Sequence, residues 1–327
     1  MKHPILIATS SPDAITYNPV REILERNGYP VVAYHGDEAA EGKQNLRLEI
    51  DEEGELSVNC QDRDISPQHI GSAWYRKVGS LSLLDAGADE AKSMHINNEL
   101  RYTNTAIWSL YSEKKWLNSP NRIIQSQAKL GQLVLAKNVG FSIPHTTMGN
   151  NWEDIERAML PEGDESMIVK MMHGVISENN VFKALYTTPI DVAKLDEIRD
   201  HTIPFPGIYQ PFIDKAREWR VTAVGDEVFP AAIYTGKTAK DDWRKHQATE
   251  AVEFKEEQLP EGFDEKCSQY LKEMGLKFGA FDFIEKPDGE MVFLECNPNG
   301  QYGWLEEKLD FPISEAIASE LMKIAKE

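Results

Sequence analysis

The chain has 327 residues, with 35 Lys or Arg against 54 Asp or Glu, so its formal net charge at pH 7 is −19. Such a surface argues against binding to duplex nucleic acid, which needs a basic face to neutralise phosphates. Three scattered cysteines argue against a disulfide framework or a zinc site. The apolar part of the N-terminus is too short for a signal peptide, and no apolar run reaches the ~20 residues that span a bilayer. We expect a cytoplasmic protein of two or three packed units with no membrane role.

The first 119 residues predict a small α/β domain. An apolar run at 4–8, helical spacing at 17–27 stopped by Gly28, and a second apolar run at 31–34 indicate a β-α-β unit with parallel strands. Residues 46–59 predict a hairpin turning at Glu53-Gly54. A strand at 73–79 and a long amphipathic helix over about 88–116 follow. The break at Ser119-Pro120-Asn121 closes this domain.

Residues 120–206 and 207–327 are expected to form two further subdomains, separated by the break Ile203-Pro204-Phe205-Pro206-Gly207. In the first, we expect helices at 121–138, 152–160 and 191–200, with strands at 166–172 and 181–188. In the second, we expect strands at 207–213, 219–225, 228–234, 278–284 and 291–297. Helices at 264–274 and 313–326 would flank these strands.

The last two predicted strands carry the most informative pattern. Asp288-Gly289 is a strong two-residue hairpin turn, and pairing about it places Asp282 opposite Glu295. Facing carboxylates on adjacent strands repel each other, whereas a divalent cation between them removes the repulsion. Asn297 projects from the same face as Glu295, and its amide oxygen can join a hard-oxygen ligand set of the kind that Mg²⁺ prefers. A solvated polar face is the alternative, but both strands are otherwise strongly apolar, which favours a metal site.

The pattern Asp282…Glu295-Cys296-Asn297-Pro298-Asn299-Gly300 resembles the terminal metal motif of the ATP-grasp superfamily. The resemblance implies an α/β (α+β) ATP-grasp fold behind an N-terminal pre-ATP-grasp domain. It also implies that Asp282, Glu295 and Asn297 hold Mg²⁺ on the phosphates of ATP.

The same resemblance assigns a nucleotide site upstream. It gives phosphate contacts to Lys129 and Lys170, which by themselves are typical of an exposed helix and a strand end. It also implies an adenine-binding hinge strand at Gln210, Pro211, Phe212 and Ile213, which could otherwise be a simple core strand. One departure is the segment after Lys170, Met171-Met172-His173-Gly174, which has a single glycine where the superfamily commonly has a glycine-rich loop over the phosphates.

Arginine grips a carboxylate or an acyl phosphate through paired donors. Arg220 stands inside an apolar strand, where a dedicated partner is expected, and Arg244 is intermediate between this role and a surface ion pair. Several short elements resemble the microviridin-type maturases, the ATP-grasp ligases of graspetide biosynthesis, over nearly the whole chain. They are Trp74-Tyr75-Arg76, Gln210-Pro211, Glu218-x-Arg220, Asp242-Trp243-Arg244-Lys245 and Phe311-Pro312-Ile313-Ser314.

This resemblance implies an ATP-dependent ligase that phosphorylates Glu or Asp side chains of a ribosomally made precursor peptide. A Thr or Ser hydroxyl, or a Lys amine, of the same peptide then closes a macrocyclic ester or amide, with ester favoured. Arg220 and Arg244 would stabilise the acyl phosphate or the oxyanion. The general base stays open among His173, His246 and Glu218. Leader-peptide binding around residues 172–200 and a homodimer are further implications.

Two other functions compete with this interpretation. An ATP-grasp ligase that adds glutamate to a protein or small molecule would share the fold, the ATP site and the metal. A non-catalytic nucleotide-binding regulatory module would be favoured by loss of a metal carboxylate or of Arg220, and all of these residues are present.

Overall fold

The computed structural model describes residues 2–78, 90–159, 166–170, 175–178, 181–184, 188–191, 206–235 and 252–327. These residues form a mixed α/β protein, as predicted. None of their helices is both long and apolar enough to cross a lipid bilayer.

The N-terminal unit is built on a three-stranded parallel sheet. Its elements in chain order are β1 (Ile5–Thr9), α1 (Ala14–Arg26), β2 (Val31–His35), α2 (Gly36–Ala40), β3 (Leu46–Ile50), β4 (Leu56–Cys60), β5 (Arg63–Asp64), β6 (Ser72–Tyr75) and α3 (Glu90–Ser109). The sheet order is β2-β1-β6, and β3-β4-β5 form a separate antiparallel sheet. The predicted β-α-β unit and the hairpin at Gly54, whose φ is +84°, are confirmed. The long helix is shorter than expected and ends before a separate 3₁₀ turn at Glu113–Lys115.

The central unit contains α4 (Pro120–Ser126), α5 (Lys129–Asn138), β7 (Thr147–Gly149), α6 (Trp152–Met159), β8 (Ser166–Lys170), β9 (Val175–Glu178), β10 (Val181–Ala184), β11 (Thr188–Asp191) and β12 (Gly207–Pro211). Its larger sheet has the order β11-β8-β12-β7. The prediction of one helix over 121–138 is wrong, because the helix is interrupted at Gln127 and Ala128. A new helix, α5, begins at Lys129. A helix was also expected from residue 191. Asp191 instead ends β11, and residues 192–200 lie outside the described part.

The C-terminal unit is a five-stranded antiparallel sheet with helices around it. Its elements are β13 (Arg217–Val224), β14 (Glu227–Thr235), β15 (Val252–Glu256), α7 (Phe263–Met274), β16 (Phe278–Glu285), β17 (Met291–Asn297), α8 (Gly303–Leu309) and α9 (Ile313–Ile324). The strand order is β15-β14-β13-β16-β17. The predicted strands at 219–225, 228–234, 278–284 and 291–297 and both flanking helices are confirmed, with ends that differ by a few residues. The strand expected at 207–213 belongs instead to the central sheet as β12, and β15 was not predicted.

The two faces of this sheet lie in different hydrophobic cores. On one face, Trp219, Phe281, Phe283 and Phe293 pack with side chains of α5 and α7. Side chains from the other face pack with α9, α1 and the strands of the N-terminal sheet in one continuous cluster. The first and last parts of the chain are therefore joined by apolar packing rather than by a linker alone.

Candidate functional site

Three charged side chains form a row across adjacent strands of the C-terminal sheet. Arg220 on β13 is paired with Asp282 on β16, and Asp282 is in turn paired with Glu295 on β17. Their sequence neighbours Trp219, Phe281 and Cys296 are buried on the opposite face of the sheet. Because side chains alternate between faces, the three charges point to one side. The predicted opposition of Asp282 and Glu295 is confirmed.

The turn that produces this opposition differs from the one expected. Near the hairpin, Glu285 pairs with Met291 and Lys286 N–H donates to the Glu290 carbonyl at 2.9 Å, so the loop holds three residues instead of two. A β-bulge then shifts the register between Asp282 and Phe283 and restores the predicted pairing beyond it. Bulges commonly re-aim side chains at functional sites.

Arg220 makes the main polar contacts of this row. Its Nη1 donates to both carboxylate oxygens of Asp282, at 2.9 and 3.0 Å, and its Nη2 donates to the Gln301 carbonyl at 3.3 Å. The side chain of Arg220 is 11% exposed, and its Nε is buried without an acceptor in the described part of the chain. The guanidinium therefore keeps one N–H donor, on Nε, that is not used by the described residues.

The turn after β17 brings the backbone close to Arg220. The Oδ1 of Asn297, an exposed residue, accepts a hydrogen bond from Asn299 N–H at 2.9 Å. A Cβ added at Gly300 would lie 2.4 Å from the Cβ of Ala280 and 2.8 Å from Nη2 of Arg220. The glycine is therefore needed for this close approach, a requirement that the sequence pattern alone does not explain.

Arg76, the last residue of the Trp-Tyr-Arg element, holds this turn to the N-terminal unit. It is 1% exposed; its Nε donates to Asp13 at 2.6 Å, its Nη2 to Oε1 of Gln301 at 2.6 Å, and its Nη1 to the Gly300 carbonyl at 3.3 Å. Asp13 follows β1, and Arg76 follows the neighbouring strand β6, so both lie at the carboxyl edge of the parallel sheet. Sequence reasoning did not identify Asp13 or Gln301, although polar residues after parallel strands are a usable signal.

Lys129, the first proposed phosphate ligand, is the first residue of α5. One turn later, the buried Gln132 donates to the Cys296 carbonyl and accepts from the Cys296 N–H, both at 2.9 Å. The helix that carries Lys129 is thus fixed to the strand residue between Glu295 and Asn297. Nothing in the sequence identified Gln132, because a glutamine in a helix is typically exposed.

The second group of predicted nucleotide contacts lies on the central sheet. Lys170 ends β8 opposite Ile208 on β12, and Gln210 and Pro211 are buried at the end of β12. Gln210 Nε2 donates to Thr146 Oγ1 at 2.9 Å, and its Oε1 has no partner among the described residues. Phe212 and Ile213 follow the strand instead of forming part of it, and both are half-buried.

The residues from 236 to 251 and from 171 to 174 lie outside the described part of the chain. They include Arg244 and two candidate bases, His173 and His246. The third, Glu218, accepts a hydrogen bond from Lys215 at 2.5 Å. Arg217 forms ion pairs with Glu285 and Glu257. The three cysteines are free and buried.

Solved structures with this fold cover nearly the whole chain. A Chryseobacterium gregarium RiPP-associated ATP-grasp ligase, solved with ADP and a leader and core peptide, is 26% identical, with a TM-score of 0.86 over 98% of this chain and 97% of that one. The macrocyclase MdnC from Microcystis aeruginosa MRC, bound to its precursor peptide MdnA, is also 26% identical, with a TM-score of 0.82 over 98% and 99%. This chain has the fold of the RiPP-associated ATP-grasp ligases. The resemblance to graspetide maturases is thereby confirmed.

A more distant structure shows the same fold. The ATP-grasp ligase PsnB, solved with a minimal precursor, Mg and ADP, is 17% identical, with a TM-score of 0.76 over 98% of this chain and 97% of that one. No family model and no curated protein sequence matches the chain. The expected ATP-grasp architecture therefore rests on three-dimensional similarity, not on close sequence relationship.

The residues present fit the magnesium that such a fold implies. No group of three His, Cys, Asp or Glu side chains suited to a metal occurs in the described part. The row offers two opposed carboxylates, with an amide on the same strand as one of them. Mg²⁺ commonly binds one or two carboxylates together with phosphate oxygens and water, so this smaller set suits Mg²⁺ held jointly with a nucleotide.

Proposed function

We propose that this protein is an ATP-dependent ligase that macrocyclises a ribosomally made precursor peptide. ATP would phosphorylate a Glu or Asp side chain, and a Thr or Ser hydroxyl of the same peptide would displace phosphate to form an ester. A Lys amine would give an amide instead. The observation that carries the proposal is the Arg220–Asp282–Glu295 row beside the Gly300 turn. It sits in a fold shared with ligases that were solved with ADP and peptide.

In the row of Arg220, Asp282 and Glu295, we propose different roles for the two carboxylates and for the arginine. Asp282 and Glu295, with Asn297, would hold Mg²⁺, which when bound offsets charge on the phosphates. Arg220 lies next to Asp282, and its Nε donor has no acceptor among the described residues, so Arg220 can orient the reacting carboxylate and stabilise negative charge that develops on it. Arg244 is proposed to assist.

The nucleotide would lie between the central and C-terminal sheets. Lys129 and Lys170 are proposed to contact its phosphates, and residues 210–213 to bind its adenine. We propose subdomains at 1–119, 120–206 and 207–327 around this cleft, with β12 at the start of the last one pairing with strands of the central sheet. A homodimer, which light scattering of the purified protein would test, is also proposed.

The proposal is tested by incubating the protein with ATP, Mg²⁺ and a Thr- and Glu-rich precursor peptide encoded beside its gene. We expect ATP-dependent losses of water, one for each bond formed. Mild base would open an ester but leave an amide intact. A mass gain equal to one amino acid would favour glutamate addition instead, and an unchanged peptide would contradict macrocyclisation.

Glu295→Gln supplies the matched negative control for this assay. It removes one proposed metal charge at a half-buried residue whose side chain makes no hydrogen bond among the described residues, so the protein should stay folded. Loss of the negative charge on the Glu295 carboxylate should lower turnover by at least about 100-fold. This corresponds to a loss on the order of 3 kcal/mol of transition-state stabilisation. The exposed Glu273→Gln should keep wild-type activity. Wild-type turnover in Glu295→Gln would refute the metal assignment, and Asp282→Asn should behave in the same way.

A further inference from the structure

The small antiparallel sheet of the N-terminal unit has an open edge. β3 (Leu46–Ile50) is the end strand in the order β3-β4-β5, and none of the described strands pairs with its other side. The edge of a strand presents unpaired N–H and C=O groups, which can pair with a strand of another chain. The backbone ladder and the side chains of β3 together indicate which strand would fit.

The unpaired backbone groups of this edge belong to alternate residues. At the start of the strand, the carbonyl of Asn45 accepts a hydrogen bond from Gln61 N–H at 3.0 Å. The register between β3 and β4 has no irregularity, so the odd-numbered residues form the hydrogen-bonded pairs with β4. The N–H and C=O groups of the even-numbered residues, Leu46, Leu48 and Ile50, therefore face the open edge.

The side chains of these even-numbered residues leave an apolar row at the same edge. Leu48 is paired with Val58, which is buried in the core of the N-terminal unit, so both side chains lie on the inner face of the sheet. Leu48 is nevertheless 41% exposed, and Ile50 is 64% exposed. An apolar row that continues past the core to a free strand edge favours association with another strand.

The outer face of β3 carries one charge of each sign. Arg47 and Glu49 are exposed, and their neighbours on β4 are the uncharged Asn59 and Ser57. In an antiparallel pair of two β3 strands centred on Leu48, Arg47 of each copy stands opposite Glu49 of the other copy. A two-fold axis thus produces the same attractive pair twice. The sequence Leu-Arg-Leu-Glu-Ile is complementary to itself in this register.

We propose that two copies of this chain associate through β3, which pairs with β3 of the second copy in antiparallel orientation about Leu48. Leu48 then forms a hydrogen-bonded pair with Leu48 of the second copy, and Leu46 forms one with Ile50 in both directions. Every unpaired backbone group of the edge is used in this way. A pair centred on Arg47 or on Glu49 would instead place like charges opposite each other. The proposal rests on the homodimer in the proposed function and gives that dimer an interface.

Reversal of the charges on β3 tests the interface and its register. Arg47→Glu and Glu49→Arg each turn both attractive pairs into repulsive ones, so each should raise the Kd of the dimer at least about tenfold. A mixture of the two single variants restores opposite charges at both positions of a heterodimer. The double variant restores them in a homodimer. Sedimentation velocity over a concentration series should therefore show wild-type association for the mixture and for the double variant.

Leu48→Pro tests the backbone contacts independently. It removes an N–H that faces the open edge and no hydrogen bond within the chain, and edge strands tolerate proline. The variant should keep the circular dichroism spectrum of the wild type, while its dimer Kd rises by about tenfold or more through loss of the central hydrogen bonds. Lys114→Glu and Glu273→Arg change the net charge at exposed residues outside β3 and should associate as the wild type does.

Three results would overturn the interface. A monomeric wild type would overturn both the homodimer and its interface. A wild-type dimer that neither charge reversal weakens would leave the homodimer standing on another surface. Weakening by both single variants without recovery in their mixture would show that Arg47 and Glu49 do not face each other. Ring closure is recorded separately: a wild type that dimerises through β3 but closes no ring overturns only the proposed ligase activity.

Discussion

Gln132 fastens the helix that begins at Lys129 to the strand that carries Glu295, and replacing it with methionine tests that link. The substitution preserves side-chain length and apolar volume but removes hydrogen bonds to the N–H and carbonyl of Cys296 and to the Ser126 carbonyl. Gln132 is 5% exposed and Cys296 is 2% exposed, so water cannot readily replace these bonds. Two backbone groups of Cys296 would remain buried and unpaired.

Each unpaired buried group costs about 1–3 kcal/mol, so we expect Gln132→Met to lower the free energy of unfolding by about 2–5 kcal/mol. An unfolding entropy of about 2 cal/mol/K per residue gives roughly 0.7 kcal/mol/K for a chain of this length, which corresponds to a melting temperature lower by about 3–7 °C. Below that temperature, ligase activity should also fall, because the strand between Glu295 and Asn297 loses its support.

Thermal unfolding measured by circular dichroism, with urea unfolding beside it, checks this prediction. Gln127→Met is the matched control, because Gln127 is exposed at the end of α4 and its replacement should change the free energy of unfolding by less than about 0.5 kcal/mol. A melting temperature for Gln132→Met within 1 °C of the control, on the order of the ~0.5 kcal/mol expected for surface changes, would refute the proposed anchoring.

Three further substitutions test other parts of the site. Gly300→Ala should destabilise the fold by about 1–3 kcal/mol and reduce ligase activity, because the added methyl group would overlap Ala280. Gly303→Ala is the control, since a methyl group there meets open space and should change neither stability nor activity. Equal effects of the two substitutions in activity and melting assays would contradict this packing. Asp13→Asn leaves the buried Arg76 without its carboxylate and should cost about 3–5 kcal/mol in urea unfolding, so a loss below about 1 kcal/mol would contradict the buried ion pair. Burial raises the pKa of Glu306, and hydrogen bonds from Ser314 oppose the rise. The folded protein therefore holds the carboxyl proton of Glu306 more tightly than the unfolded chain does. Ionisation of Glu306 destabilises the folded protein as the pH rises through the raised pKa. The melting temperature of Glu306→Gln relative to wild type should thus increase between about pH 4 and pH 8, and a decrease would show the opposite sign of the shift.

Much of the local structure could be predicted from the sequence, since local periodicity and turn residues encode it. The apolar runs at 278–284 and 291–297 and the turn residues between them predicted a hairpin with Asp282 opposite Glu295, and the structure confirms both. The predicted two-residue turn was wrong. A three-residue loop and a β-bulge compensate for each other in the register of the two strands, and no sequence rule predicts such a pair of irregularities. The expected single helix over 121–138 likewise misses the break before Lys129.

The assembly of the site could not be predicted in the same way, because its contacts join residues that are far apart in the chain. Arg76 meets Gly300 and Gln301 across more than 220 positions, and Gln132 meets Cys296 across 164. Neither contact leaves a local pattern, since both depend on how separate elements pack.

The sequence by itself determined the strands, the main helices and the opposition of two carboxylates, because these follow from spacing along one or two adjacent segments. The tertiary structure alone decided that Arg220 lies beside Asp282 and that Arg76 ties the Gly300 turn to the N-terminal sheet. The physical reason is that hydrogen bonds and charge interactions act over a few ångströms of space, whatever the separation of the residues in the chain.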